Sequence, residues 1–371
     1  VTLVQLFSIG PIGGKVPIIM GTSSGFIGVF NSVAKLMGGG VLAYGGISGF
    51  VIIFSMYPIV LGLFKEADIT RRLIPATIMT GAFTFAMSAM PGTPTIQNLI
   101  PTEYFGTTAT AAPVIGIVCT IIMFVGPVLW LSWRAKKFRA AGEGYDEPDE
   151  MPEEVPDDKL PPAWCCFIPF VVIVILLNVF KMNIVVCLLA GILLSLVFLF
   201  LMGKVRGSVY LTNVGETCNK GCQSAVSAIM NTAAAVGFGS VVKITPGFAF
   251  LSELVLGIGG SPLIAESIAI NVLAGATGSA SGGLQIALDA LADNFIQMSQ
   301  TSGIPLAVFH RVGSIACGGL NTMPHDGAVV TYLSYCKISH KRGYFDMFIV
   351  AGAIPILANI VAIILGTIGI V

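Results

Sequence analysis

The chain has 371 residues, 55% of them hydrophobic and 10% charged. A soluble domain carries about 25% charged residues, so this composition excludes an ordinary soluble fold and specifies a membrane protein. Zero net charge argues against a nucleic-acid partner, and eight cysteines without zinc-ribbon spacing point to no metal, no redox pair and no bound cofactor.

In chain order, residues 1–40 form an apolar segment that begins at Val1 without an initiator methionine or a signal-peptide pattern, which reads as a fragment. Residues 41–64 are apolar and end at "KEADITRR" (65–72). A span at 73–90 leads to "PGTPTIQN" (91–98), and another at 113–131 ends at "SWRAKKFR" (132–139). The acidic, proline-rich segment at 142–163 reads as a flexible linker between two halves, 41–141 and 164–371. Helices near 165–181, 183–202 and 224–243 follow. Residues 260–297 and 305–336 are apolar but interrupted, and 344–371 form a terminal helix.

Lysine and arginine gather in the loops at 65–72, 132–139, 203–207 and 337–342, while 99–112 and 298–304 hold neither. The positive-inside rule puts the first set, and the linker with them, in the cytoplasm. Parity then makes 31–64 a re-entrant hairpin entered from the cytoplasm and 260–297 a hairpin entered from outside.

The hairpins bend at "YGGISGF" (44–50) and "TGSASGG" (277–283). A shift of 233 residues superposes Gly45 on Gly278, Ser48 on Ser281 and Gly49 on Gly282, and also Met90-Pro91 on Met323-Pro324. Helix-breaking sites recur at one offset in halves of opposite orientation. The pattern specifies an all-α polytopic membrane protein, an inverted-repeat secondary transporter with re-entrant hairpins and broken helices meeting at the midplane.

Polar groups at the breaks are the candidate substrate ligands: Ser48, Gly49, Thr93, Thr95, Gln97 and Asn98 in the first half, and Thr277, Ser279, Ser281, Asn321, Thr322 and His325 in the second. Many neutral donors with few fixed charges suit a small hydroxylated organic anion. His325 beside Asp326 can titrate near neutrality, which makes the pair the candidate for proton coupling; a structural cap on the following half-helix is the competing role for Asp326. Asp289 and Asp293 read as groups near the outer surface, His310 and Arg311 as side chains snorkelling outward, and Glu253 and Glu266 as interfacial. Asn231 lies well inside a span.

"RRLIPATIMTGAFTFAMSAMPGTPTIQN" (71–98), "EYFGTTATAAPV" (103–114), "NVLAGATGSASGG" (271–283) and "HRVGSIACGGLNTMPHDGAV" (310–329) resemble the gluconate:proton symporter (gluconate permease) family over residues 41–371, its hydroxybutyrate-type branch most of all. The resemblance implies an elevator-type carrier of the ion-transporter superfamily in a bacterial plasma membrane, a scaffold that forms a homodimer, and hairpin tips at Ser48 and Ser281. It also implies uptake of gluconate, another sugar acid or 3-hydroxybutyrate with H⁺, Na⁺ being the other coupling ion. Residues 1–40 instead resemble the nucleobase/xanthine:cation symporter family around "PIIMGTS" (17–23), and the two patterns meet near "VLAYGG" (41–46), so the chain reads as a hybrid. A nucleobase carrier is therefore the second transport reading. A membrane enzyme using Ser and His325 is the reading from another class, against which the chain has neither G-x-S-x-G nor H-E-x-x-H.

Overall fold

The computed structural model describes residues 49–148, 184–202 and 261–371 continuously, with scattered positions elsewhere. The expectations for residues 1–39, for the first hairpin's bend at 45–48, for the span at 224–243 and for Asn231 and Glu253 lie outside the described residues. The described segments are helical, with α1 at Gly49–Glu66, α2 at Ile74–Ala82, α3 at Ile96–Phe105 and α4 at Pro113–Ala140 in the first half. After α5 (Ile184–Met202), the second half holds α6 (Pro262–Thr277), α7 (Ala280–Ser302), α8 (Leu306–Ala316), α9 (Gly327–Tyr335), α10 (His340–Phe348) and α11 (Ile354–Thr367).

Two continuous helices among the described residues are long and apolar enough to cross a bilayer: Pro113–Ala140 and His340–Thr367. On α4, Ile115, Cys119 and Met123 are buried while Ile117, Ile121, Val125 and Leu129 are exposed. On α11, Leu357, Ile360 and Ile364 are exposed. Such apolar faces at helical spacing suit lipid rather than water. The chain is a membrane protein on this ground and on its composition.

The helices recur at the offset found in the sequence. Moving α8, α9 and α11 back by 233 residues lays them over α2, α3 and α4, and α7 covers α1. Packing crosses between the halves in matched pairs: α7 rests on α3 as α1 rests on α9, and α8 on α3 as α2 on α9. Each half thus supports the broken helix of the other.

The span expected at 73–90 is shorter than its apolar length. Its α-helix ends at Ala82, and a π-helical turn occupies Phe85–Ala89. Thr77, Thr80, Thr84 and Ser88 each donate a hydroxyl hydrogen bond to the carbonyl four residues earlier. Side-chain bonds of this kind compete with the helix ladder and bend it. The terminal helix also differs from expectation: it starts at His340, and a second π-helical turn at Ile349–Ala353 separates α10 from α11.

The loops expected at the cytoplasmic side do come together. Arg71 pairs with Asp146 at 3.2 Å, Arg72 with Glu143 at 3.3 Å, and Arg342 with both Glu143 and Asp146 at 3.5 Å. Lys65 lies 2.6 Å from Glu147 and holds that carboxyl below the usual carboxylate range. Deeper in, the fully buried Asp346 of α10 accepts from Arg134 Nε at 2.7 Å, Arg134 Nη2 at 3.1 Å and Trp130 Nε1 at 3.0 Å. This ion pair pins the ends of the two long helices. Asp346→Asn is expected to destabilise the protein by about 1–3 kcal/mol, since a charged acceptor of two guanidinium bonds becomes neutral. Thermal unfolding in detergent with an unchanged midpoint would show that the pin carries no load.

Candidate functional site

The first break runs from Phe83 to Thr95. Its extended stretch frees carbonyl groups that no helix satisfies, and side chains collect them. Thr93 donates to Ala86 O at 2.7 Å and Thr95 to Met87 O at 2.5 Å, while Asn98 Nδ2 reaches Thr93 O at 2.9 Å and Ala109 O at 2.8 Å. Thr93 and Asn98 are fully buried. Gln97 is half-buried beside them.

The largest group at this break comes from the other half. Arg311 on α8 is fully buried, against the expectation that it snorkels to the surface. Its five N–H donors are all engaged: Nε to Ala111 O (3.0 Å), Nη1 to Ser88 O (3.3 Å) and Asn98 Oδ1 (2.9 Å), and Nη2 to Ala109 O (3.2 Å) and Ala111 O (2.8 Å). The rotation of α8 carries the side chain inward, where a fork of five donors matches a ring of orphaned acceptors. His310 is likewise fully buried, correcting the same expectation. Its Nε2 stands 3.2 Å from Asn98 Oδ1 and its Nδ1 2.6 Å from the Thr107 hydroxyl. Both ring nitrogens are thereby engaged, Nε2 with the side-chain oxygen of Asn98 and Nδ1 with a hydroxyl.

The second break runs from Cys317 to Asp326. Asn321 and Thr322 are buried. Thr322 donates to Ala351 O at 2.8 Å, a carbonyl of the second π-helical turn, and its own carbonyl accepts from the Tyr344 hydroxyl at 3.1 Å. His340 Nε2 lies 3.1 Å from Pro324 O. Asp326 is the N-cap of α9: its Oδ2 accepts from Ala328 N at 3.0 Å and Val329 N at 3.1 Å. The carboxylate thereby fills the amide-rich end of α9 itself. His325 is exposed.

The second hairpin closes onto this break. α6 ends in Gly278, whose left-handed φ of +60° permits the reversal into α7, where Ser279 caps the new helix by accepting from Gly282 N at 3.1 Å. A Cβ added at Gly278 would stand 3.0 Å from His325 Cδ2 and 3.3 Å from Asp326 Cα, so the tip touches the break directly. One face of α6 continues the contact. Asn271 Oδ1 accepts from Leu320 N at 3.2 Å, and a Cβ at Gly275 would come 2.9 Å from Leu320 Cβ. Ser279 and Ser281 are both half-buried at the tip.

Tyr44 and the start of α1 have a related placement at the first break. Tyr44 donates its hydroxyl to Pro91 O at 3.2 Å, and Gly49, at the start of α1, lies against the Phe83 ring and accepts from the Tyr332 hydroxyl at 2.7 Å. Ser48 lies outside the described residues. Glu266, expected at the interface, is instead fully buried on α6. Asp289 stays exposed and binds Tyr104 of α3. Among the described residues no cluster of side chains suits a metal ion. An apolar groove of about 500 Å³ between α6 and α11, lined by Ile264, Ile268, Ile360 and Ile364, suits alkyl chains rather than an anion.

Arg311 and Glu266 are what reading the sequence missed. The available signal was weak: a cation and an acid in apolar helices, with small residues such as Gly313 and Ser314 one turn away.

The described residues are helical, and among them a hairpin tip seats on a broken helix. The chain is 34% identical over 395 aligned residues to the uncharacterized transporter YxjC of Bacillus subtilis (strain 168), an alignment covering 92% of this chain and 82% of the relative. It belongs to that transporter family. No protein-family model matches the chain.

Proposed function

We propose that the protein is a secondary active transporter that takes up a small hydroxylated organic anion with protons, by alternating access across a bacterial plasma membrane. Gluconate, another sugar acid and 3-hydroxybutyrate are the substrates of this class, and a homodimer is the proposed assembly. The observation that carries the reading is the contact of Gly278 with His325-Asp326: a glycine-serine tip closes on the stretch of unwound backbone that also bears the titratable pair.

The site's own bonds sort the ligand set. Thr93, Asn98 and Thr322 spend their polar atoms on break backbone and, with the buried Asn321, shape the site from behind. The half-buried Ser279, Ser281 and Gln97 and the exposed His325 are the proposed direct ligands, and Ser48 and Gly49 stand at the matching repeat positions in the sequence. Because Asp326 fills the end of α9, the substrate carboxylate meets the start of α7 and His325, and its hydroxyls meet the serines. The coupled proton is assigned to this His-Asp pair. The fixed charge of Arg311 favours an anion at the midplane.

Proteoliposomes provide the test. Radiolabelled gluconate or 3-hydroxybutyrate is expected to accumulate when the outside is acidic, and the gradient to collapse with a protonophore. His325→Ala is expected to abolish pH-driven accumulation while counterflow persists with a raised substrate KM. Uptake of xanthine instead, or normal accumulation by the His325 variant, would overturn the substrate or the coupling assignment respectively.

A further inference from the structure

Glu266 lies on α6, the arm by which the second hairpin enters, and its side chain is fully buried. Neither carboxylate oxygen has a hydrogen-bond partner. It faces Gly313 of α8, where an added Cβ would stand 3.0 Å from Oε1 and 3.1 Å from Ile270 Cδ1. Among the described residues, the elements most closely packed on α6 bring no cation to it. α11 and the turn at Leu320–Thr322 have no ionisable side chain, and α7 has only Asp289 and Asp293, both exposed. α8 carries His310 and Arg311, which are engaged at the first break.

An ionised carboxylate without partners in such a place is disfavoured by several kcal/mol, so the group holds a proton while α6 lies against α8. Opening of the hairpin wets it and lets it ionise. We propose that Glu266 is a second proton-binding position, one that ties the proton to closure of the hairpin: the carboxylic acid forms as α6 packs on α8, and the proton passes to water when the arm lifts. The site is distinct from His325-Asp326. It rests on the proton-coupled reading above and adds a proton to it. Position 33, which precedes Glu266 by the repeat offset, is a valine.

Two measurements test it. In proteoliposomes with radiolabelled gluconate, Glu266→Gln mimics the protonated acid. It is expected to keep counterflow at equal pH and to accumulate about tenfold less than wild type per unit of pH gradient, the worth of one coupled proton. Infrared difference spectroscopy of purified protein near neutral pH is expected to show the carbonyl stretch of a protonated carboxyl group, lost in Glu266→Gln and retained in Glu266→Asp. Wild-type accumulation by the Gln variant, or absence of that band from wild type, would overturn the proposal. Failure of wild-type protein to accumulate gluconate would refute the substrate assignment alone. In that case, or if Glu266→Gln also loses counterflow, the infrared band decides the fate of Glu266.

Discussion

Arg311→Ala is expected to lower stability by at least about 3 kcal/mol and to abolish uptake. The guanidinium holds Ser88 O and Ala111 O, which have no second donor among the described residues, besides Ala109 O and Asn98 Oδ1, which keep Asn98 Nδ2 and His310 Nε2, and each buried acceptor left without a donor costs about 1–3 kcal/mol. The cavity left by the side chain adds to that loss. Arg311→Lys keeps the charge with three donors in place of five, so at least two bonds vanish and an intermediate loss of about 2 kcal/mol is expected. The order wild type, Lys, Ala in unfolding midpoint, matched by the order of gluconate uptake, is the expected outcome. An alanine variant with the wild-type midpoint would show that the break holds its shape unaided.

The second large effect is expected from Gly283→Val. Gly283 lies where α7 leaves the hairpin tip, and a Cβ there would run into the backbone N and Cα of Ala274 and stand 2.7 Å from the carbonyl carbon of Leu273. These are main-chain atoms of α6, so no rotamer change relieves the contact and the two arms must part. Forced expansion of a packed contact costs about 1–3 kcal/mol, and a branched side chain against backbone belongs at the upper end. Parting the arms also draws Gly278 away from His325, so accumulation and counterflow are both expected to fail. Gly62→Ala is the control: its Cβ meets nothing within 4 Å, and replacing a helical glycine there is expected to stabilise by about 0.5–1 kcal/mol. Transport by the Gly283 variant at the wild-type rate would mean that the arms need not lie in contact.

Local chemistry explains which parts of this structure were legible in the sequence. Met90-Pro91 and Met323-Pro324 announce breaks because proline removes a donor wherever it stands, and Gly278 announces a reversal because its backbone tolerates the left-handed region. Loop charges group the segments that lie together, and Arg71, Arg72 and Arg342 do meet Glu143 and Asp146. Asp326 as a cap was readable from its place before an apolar helix. The rotation of α8 was not readable. His310 and Arg311 stand close enough to a helix end to snorkel, and only the packing of α8 on α3 turns them inward. Glu266 is the same case on α6: a carboxylate one turn from the helix start is ordinary surface until α8 covers it with Gly313. The early end of α2 also escaped, because four hydroxyl side chains acting in series bend a helix whose hydropathy alone suggests a full span.

The bond between Arg311 and Ala111 joins positions 200 residues apart. At about 5–20 residues per second of synthesis, the first half waits roughly 10–40 s for that guanidinium. Through that interval the carbonyls of Ser88 and Ala111 need water or provisional donors. The arginine has its own difficulty, since placing it at the centre of a helix entering the bilayer costs about 2.5–3.5 kcal/mol. Each difficulty resolves the other once α8 arrives. A chain that stops short of α8 therefore leaves the carbonyls of Ser88 and Ala111 without the donor that holds them in the finished protein.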